Sequence, residues 1–314
     1  MTPLLNLLAD GEFHTGPSVA DQLGVSRAAI NLQVQAARAR GITIESVRSR
    51  GYRLPGGAQW LDAGKLTGSL RRTFKNVCVD VYESIPGTNA QLMQGQQPWP
   101  ELQFAFAEHQ SAGRGRRGRV WVSPWGNNIY FSCAIRYRDG VPAHLSLQVG
   151  VALAQLLSRS GVAGVGLKWP NDLWVAEHKC GGILVEVQGD PMGECRAIIG
   201  VGLNLKTSAV AAAQIDQPYA DLRNLGLDPA IDRTLLSARA ARAVAQAAQA
   251  SNPSLATQFA KWDCLRGKLV RASGSHGAVQ GTACGLSDDG GLIIETEQGP
   301  QIVHSGEVSV RTHA

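Results

Sequence analysis

Cysteine is scarce and unpatterned in this chain. The six cysteines, at positions 78, 133, 180, 195, 264 and 284 of 314 residues, form no Cys-x-x-Cys pair and no zinc-ligand spacing. That excludes a disulfide framework at this size and a metal centre built on cysteine. The thiols read as reduced, several of them buried, in a cytoplasmic protein. Charge is thin too, at 18% of residues. Long apolar runs are missing: the most apolar stretch, Leu145 to Leu157, is too short for a bilayer and carries Gln148 and Gln155, which predicts no membrane span. Met1-Thr2-Pro3-Leu4 opens no charged leader followed by an apolar run, so no signal peptide is expected. There is no internal repeat.

What is present is enough apolar material, 44%, for a proper core, and a length that suits two or three domains. The net charge of +5 is carried largely by two arginine clusters, Arg27 to Arg53 and the run Gly113 to Arg119. Clusters say more about partners than a mild overall excess does.

Three blocks follow from the patterning. In the first, Leu4, Leu5, Leu7 and Leu8 mark one helix, and Val19, Ala20 and Leu23 a second. Gly24-Val25-Ser26 makes a tight turn, with Ser26 placed to cap a third helix from Arg27 to about Arg40, which Gly41 stops. Ile42 to Val47 alternates like a strand, Arg50 to Leu54 returns as its partner, and Pro55-Gly56-Gly57 reads as a linker. The middle block, about Trp60 to Ser254, offers strands at 77–82, 103–108, 128–137, 164–169, 182–187 and 197–205, with helices at 143–158 and 232–250. Strands that follow one another without crossover helices predict an α+β domain with a mixed or mostly antiparallel sheet. The last block, about Leu265 to Arg311, is short strands between glycine-rich turns, Asp288-Asp289-Gly290-Gly291 being the clearest hairpin, and predicts an SH3-like β-barrel.

Four segments carry chemistry. Gly113-Arg114-Gly115-Arg116-Arg117-Gly118-Arg119-Val120-Trp121 combines glycines that let the backbone approach a ligand with arginines whose forks match phosphate or carboxylate oxygens. Four arginines in so short a loop repel one another, which predicts a loop that is mobile until an anion arrives. It is neither a Walker loop nor a clean dinucleotide fingerprint, and the bland alternative is a solvated basic turn or a nucleic-acid patch. Lys168-Trp169-Pro170-Asn171-Asp172 ends a strand, where Pro170 sets Asn171 and Asp172 at a strand end; taken alone it is an ordinary turn. Lys179-Cys180-Gly181-Gly182-Ile183-Leu184-Val185-Glu186 opens an apolar strand on a lysine, which either aims a charge into a site or is solvated. In Gly200-Val201-Gly202-Leu203-Asn204-Leu205, glycines inside a strand mark a close approach by a ligand or another backbone.

In their order, and with Glu108-His109-Gln110-Ser111-Ala112 and Gly87-Thr88-Asn89 upstream, these segments resemble the biotin protein ligase family, in the bifunctional form that is also the biotin operon repressor. The resemblance spans nearly the whole chain. It implies a winged helix-turn-helix domain over 1–58, a catalytic domain over 60–262 and an SH3-like domain over 263–314. It further implies ATP-dependent activation of biotin to biotinyl-5′-adenylate and transfer to a lysine of a biotin carboxyl carrier protein. By similarity, Gly87, Thr88, Asn89, Gln110 and the backbone of Arg114, Gly115 and Arg116 surround biotin, and Trp121 covers its apolar face. Arg116 and Lys179 are the catalytic cations that neutralise carboxylate and α-phosphate. Arg117, Arg119, Asn171, Asp172, Asn204 and Tyr219 are candidates for the nucleotide side, Tyr219 as the aromatic closing over adenine. Asp172 is also the candidate for positioning the acceptor amine. Magnesium is expected with ATP, and no metal site of the protein's own. Many relatives carry serine where this chain has Gly87.

For the first block the resemblance implies operator DNA as a partner and a ligand-promoted homodimer. Arg27, Asn31 and Gln35, with Ser26 and Arg38, suit a recognition helix, while Ala29, Ile30 and Val34 face the core. Arg48, Arg50 and Arg53 suit backbone contacts from a wing. The alternatives are a winged helix kept for protein contacts, a biotin-sensing repressor without catalysis, and a lipoate ligase.

Overall fold

The computed structural model describes residues 1–142, 144–251, 254–274, 277–304 and 309–312. The start of the helix expected at 143, and parts of the C-terminal block, lie outside the described residues. Each helix of the first block is set by its own cap. Thr2 caps α1 (Pro3–Leu7), Thr15 caps α2 (Gly16–Leu23), and Ser26 Oγ accepts from Ala29 N at 3.2 Å to start α3 (Arg27–Ala39). Gly24, at φ 63°, closes α2 in the left-handed conformation that the turn requires. Ile30, Val34 and Ala37 recur at helical spacing and are buried, so α3 shows its other face, with Arg27, Asn31 and Gln35, to solvent. β1 (Glu45–Val47) and β2 (Gly51–Arg53) pair antiparallel as the ribbon beside it. Both strands are shorter than the alternation suggested.

The middle block contains α4 (Ala63–Arg71), β3 (Cys78–Ile85), α5 (Thr88–Met93), β4 (Leu102–Gln110), β5 (Ile129–Tyr137), α6 (Leu145–Arg159), β6 (Val165–Lys168), β7 (Asp172–Val175), β8 (His178–Gly189), β9 (Cys195–Leu203), α7 (Ala209–Ala212), α8 (Arg233–Gln249) and α9 (Leu255–Ala260). Its seven strands form one sheet in the order β3-β4-β5-β9-β8-β7-β6, with β3 parallel to β4 and every other neighbour antiparallel. Alternation sorts each strand between two faces. Along β9, Ala197, Ile199, Val201 and Leu203 enter the main core beneath α4, α6 and α8. Ile198 instead meets Leu92 of α5 on the opposite face, and Gly200 and Gly202 follow it there. The main core thus stabilises one side of the sheet while glycines leave room on the other.

In the last block β10 (Leu269–Gly274), β11 (Gly277–Leu286), β12 (Leu292–Thr296), β13 (Gly299–Val303) and β14 (Ser309–Thr312) make an antiparallel sheet in the order β13-β12-β11-β10-β14. Among the described residues no pairing joins β13 to β14. Trp169, 1% exposed, fastens this sheet to the middle block by donating its indole N–H to Gly290 O at 3.1 Å.

The segment 55–61 is not a free tether. Ala58 N donates to Ala9 O, Gln59 N to Gly126 O, and Leu61 N to Glu108 Oε1 at 2.5 Å. Trp125 completes the junction: its ring stacks on His109 with centroids 4.7 Å apart, and its Nε1 donates to Arg40 O at the end of α3. Burial, with the Arg40 charge, lowers the His109 pKa and favours the neutral ring in that stack.

Candidate active site

On the glycine-bearing face lies a cavity of about 1070 Å³, just above the usual range for small-molecule sites. Its floor is a cross-strand pair without side chains, Gly182 of β8 opposite Gly202 of β9. The Trp121 indole packs against this pair. A Cβ at Gly202 would clash with the ring, 2.4 Å from its nearest atom, and one at Gly182 would stand 3.2 Å from it. The strand glycines therefore exist for close approach, here by a tryptophan.

One end of the cavity is a tight polar set. Thr88 and Asn89, both buried, open α5. Gln110 Oε1 accepts from Thr88 N at 2.9 Å, and Gln110 Nε2 donates to Ser123 Oγ at 2.9 Å. Asn89 Nδ2 donates to Glu186 Oε2 at 2.7 Å and to Leu184 O at 3.2 Å. Ser132 Oγ, fully buried, sits 2.6 Å from Thr88 Oγ1 and 2.5 Å from Asn89 Oδ1. Gly200 makes the seat for Asn89, because any Cβ there would overlap its amide. At Gly87 the nearest atom to an added Cβ is 3.7 Å away, so a Cβ there would meet only ordinary contacts.

The arginine loop forms the roof. It is folded on itself: Gly115 N donates to Arg119 O at 2.7 Å, Trp121 N to Gly113 O at 2.9 Å, and Arg117 (φ 56°) and Gly118 (φ 73°) make the left-handed turn. Arg114 pairs with Glu186 at 3.5 Å, and Arg116 Nη1 donates to Asn171 Oδ1 at 3.4 Å. Burial lowers the Arg116 pKa and the Asp172 carboxylate pushes it back up. Arg117 and Arg119 lie exposed on the rim.

The other end is set by a β-bulge. β7 and β8 pair as Asp172↔Gly182, Leu173↔Gly181 and then Trp174↔Lys179, so Cys180 is the extra residue. The bulge buries the Cys180 side chain, whose Sγ donates to Leu173 O, and turns Lys179 toward the cavity. Burial pushes the Cys180 thiol up to about 12, which keeps it protonated and inert beside the site. Lys179 Nζ lies 2.8 Å from Asp172 Oδ1, and the two side chains are only 14% and 21% exposed. Six cations line the cavity (Arg114, Arg116, Arg117, Arg119, Lys168 and Lys179) against the carboxylates Asp172, Glu177 and Asp216. Such a surface favours an anionic ligand.

The cavity thus gathers Gly87, Thr88, Asn89, Gln110, Arg114, Gly115, Arg116, Arg117, Arg119, Trp121, Asn171, Asp172 and Lys179. Two expected nucleotide residues fall outside its lining. Asn204 is buried and donates Nδ2 to Lys179 O at 3.2 Å, so it holds the lysine's backbone. Tyr219 pairs with the Lys179 backbone as an isolated bridge, while its neighbours Gln217 and Pro218 line the rim. Ser132, Glu186 and Ser123 were missed; Ser132 and Glu186 sit on strands distant in sequence from their partners, while Ser123 lies in the loop just after Trp121.

On the N-terminal block, Ser26 is a helix cap. Arg27, Asn31, Gln35 and Arg48 are exposed. Arg38, also expected to face DNA, is spent within the domain: it donates to Ile44 O at 2.6 Å and Ser46 Oγ at 2.8 Å, bracing β1 against α3. Arg50 lies over the Phe13 ring at 4.0 Å, with Arg53 beside it at 4.6 Å, which stiffens the ribbon. Among the described residues no helix is long and apolar enough to cross a membrane.

Comparison with known proteins gives three family matches: the biotin/lipoate A/B protein ligase family over residues 81–204, the biotin protein ligase C-terminal domain over 267–311, and an HTH domain over 3–53. The chain is 34% identical over 315 residues to the bifunctional ligase/repressor BirA of Escherichia coli strain K12, covering 98% of this chain and 96% of that protein. It is 32% identical over 243 residues to the biotin–[acetyl-CoA-carboxylase] ligase of Mycobacterium tuberculosis, covering 73% and 88%. Among solved structures, the biotin protein ligase from Aquifex aeolicus in complex with biotin and ATP superposes with a TM-score of 0.59 at 25% identity, covering 76% of this chain and 100% of that one.

Proposed function

The chain belongs to the biotin protein ligase family in its bifunctional ligase/repressor form, and from that premise we propose that it activates biotin with ATP and transfers it to a carrier lysine. The observation that carries this reading is the polarity of one cavity. A neutral hydrogen-bonding set (Thr88, Gln110) lies at one end, an indole on a glycine floor in the middle, and the cations Arg116 and Lys179 at the other. Biotin has the same order of parts: a polar ureido ring, an apolar thioether ring and chain, and a carboxylate.

In the first step a biotin carboxylate oxygen attacks the α-phosphorus of ATP, the bond to the β-phosphate bridge oxygen breaks, and pyrophosphate leaves with its electron pair. Two anions must meet, so the work of the site is to cancel repulsion and hold the pair in line. Lys179 and Arg116 do this from fixed positions: Asp172 and Asn171 hold their side chains, and Asn204 holds the Lys179 backbone. The rim arginines Arg117 and Arg119 meet the leaving phosphates. Magnesium supplies further charge neutralisation. Bound to the nucleotide's phosphates it would lie on the side of the cavity that Asp172 lines. In the second step a carrier lysine attacks the biotinyl carbonyl, the amide forms and AMP leaves. Asp172 takes the proton that the attacking amine loses and releases it to solvent, which restores the carboxylate and its pair with Lys179.

The exposed face of α3, with Arg27, Asn31 and Gln35, reads operator DNA, and Arg48 on the ribbon turn contacts its backbone. Ligand-promoted dimerisation matches a two-fold operator. The site of action is the cytoplasm. The direct test of transfer is to incubate the protein with ATP, magnesium, biotin and an unmodified biotin carboxyl carrier domain, then weigh the carrier by mass spectrometry. One biotinyl group on one lysine is expected, and none when lipoate replaces biotin. An unmodified carrier would contradict the reading.

A further inference from the structure

The hydrogen-bond chain at the polar end of the cavity has a direction that its members dictate. Glu186 Oε2 and Leu184 O can only accept, and they lie 2.7 and 3.2 Å from one terminal atom of Asn89. That atom must be the amide nitrogen, and the other is the carbonyl Oδ1. Oδ1 can only accept as well, so the single Ser132 hydroxyl proton, 2.5 Å away, goes to it. Ser132 Oγ is also 2.6 Å from Thr88 Oγ1. Two oxygens that close need a proton between them, and Ser132 has spent its own. The Thr88 hydroxyl therefore donates to Ser132 rather than to Gln110 Oε1, which is farther off at 3.3 Å and already takes the Thr88 backbone N–H. What Thr88 turns to the cavity it lines is lone pairs. Ser132, 0% exposed, is closed to water, which fixes the inner end of the chain.

We infer that Glu186 and Ser132 are positioning residues that lock the Thr88 hydroxyl as an acceptor, so that the site selects a ligand whose ring presents an N–H donor at that point. On the ligase reading, on which this inference rests, the donor is a ureido N–H of biotin. The dithiolane ring of lipoate has no such donor and would leave the Thr88 oxygen buried and unpaired. Selection against it is then built into the polarity of the chain as well as the shape of the pocket. Arg114, 3.5 Å from the other Glu186 oxygen, ties the arginine loop to the same anchor.

The test compares, by titration calorimetry, the affinities for biotin and for analogues in which one or other ureido N–H is replaced by CH₂. The wild-type protein is expected to favour biotin over the matching analogue by about 100-fold, the order of one buried group left unpaired. In Ser132→Ala the Thr88 hydroxyl can turn either way, and the preference should fall at least tenfold, with KM for biotin rising more than kcat falls. Glu186→Gln, in which the Asn89 amide can flip, should move the preference in the same direction and guards against a Ser132 variant that does not fold. Unchanged preference in a folded Ser132→Ala or Glu186→Gln protein would overturn the inference, as would KM and kcat changing together with preference intact. Because the readout is an equilibrium affinity ratio, it stands or falls separately from the ligase reading, which biotin-dependent turnover of the wild-type protein tests by itself.

Discussion

Lys179→Ala is expected to slow biotin-dependent ATP–pyrophosphate exchange by roughly 100- to 1000-fold, the usual consequence of removing one preorganised charge or donor from developing negative charge. Lys179 reaches the cavity only because of the bulge at Cys180. Its amine is held 2.8 Å from Asp172, its backbone N donates to Pro218 O, and its carbonyl accepts from Asn204 and Ala220. A charge so fixed costs little reorganisation when the carboxylate and α-phosphate close on it. Those backbone contacts survive truncation, so thermal stability should change little, and a melting curve beside the exchange assay separates chemistry from folding. Exchange at the wild-type rate in a folded Lys179→Ala protein would remove Lys179 from the mechanism.

The largest effect on stability is expected from the buried pair Glu108–Arg233. Arg233, 0% exposed, donates to Asn128 O at 2.7 Å and Gln59 O at 2.9 Å besides Glu108, whose other oxygen accepts from Leu61 N. One ion pair thus joins the linker, β4 and the first turn of α8. Breaking it from one side strands a charge where water cannot follow. Glu108→Ala or Arg233→Met should therefore cost about 3–5 kcal/mol of unfolding free energy in chemical denaturation. Replacing both partners by apolar residues removes the stranded charge, and a Glu108→Leu/Arg233→Met protein should be more stable than either single variant. If the double variant is less stable than both, the pair is not the source of the effect.

Helices with a local start signal were legible in the sequence. Ser26 announced α3; α8 was expected over 232–250, and its cap, Asp232 accepting from Leu235 N at 2.7 Å, is a finding of the structure. The apolar alternation of β5 and β9 placed the central strands within a residue or two. β7 was not legible, because Asp172–Val175 is four residues long and directly follows a proline turn. Nor was α5, whose six residues have no side-chain cap. The site was legible where its chemistry is carried by unusual clustering, as in the arginine loop, and by the segments that resemble the ligase family. It was not legible where long-range pairing decides the role. Asn204 reads as a strand-end polar residue, and only its hydrogen bond to Lys179 O reveals it as a brace. Arg38 reads as one more exposed helix arginine until Ile44 O and Ser46 Oγ are found under it. Ser132 sits unmarked in the apolar run of β5, and Glu186 looks like an ordinary outward strand residue. They meet Asn89 only because α5 folds over β5, β9 and β8.

The measurement closest to the central claim is ATP–pyrophosphate exchange by the wild-type protein with biotin, without biotin, and with lipoate in its place. Exchange that requires biotin and ignores lipoate is the expected result. It would establish that this cavity joins a biotin carboxylate to the α-phosphate of ATP before any carrier is present. Absence of exchange from a protein that still binds biotin would contradict the account and leave a biotin sensor with a repressor's fold.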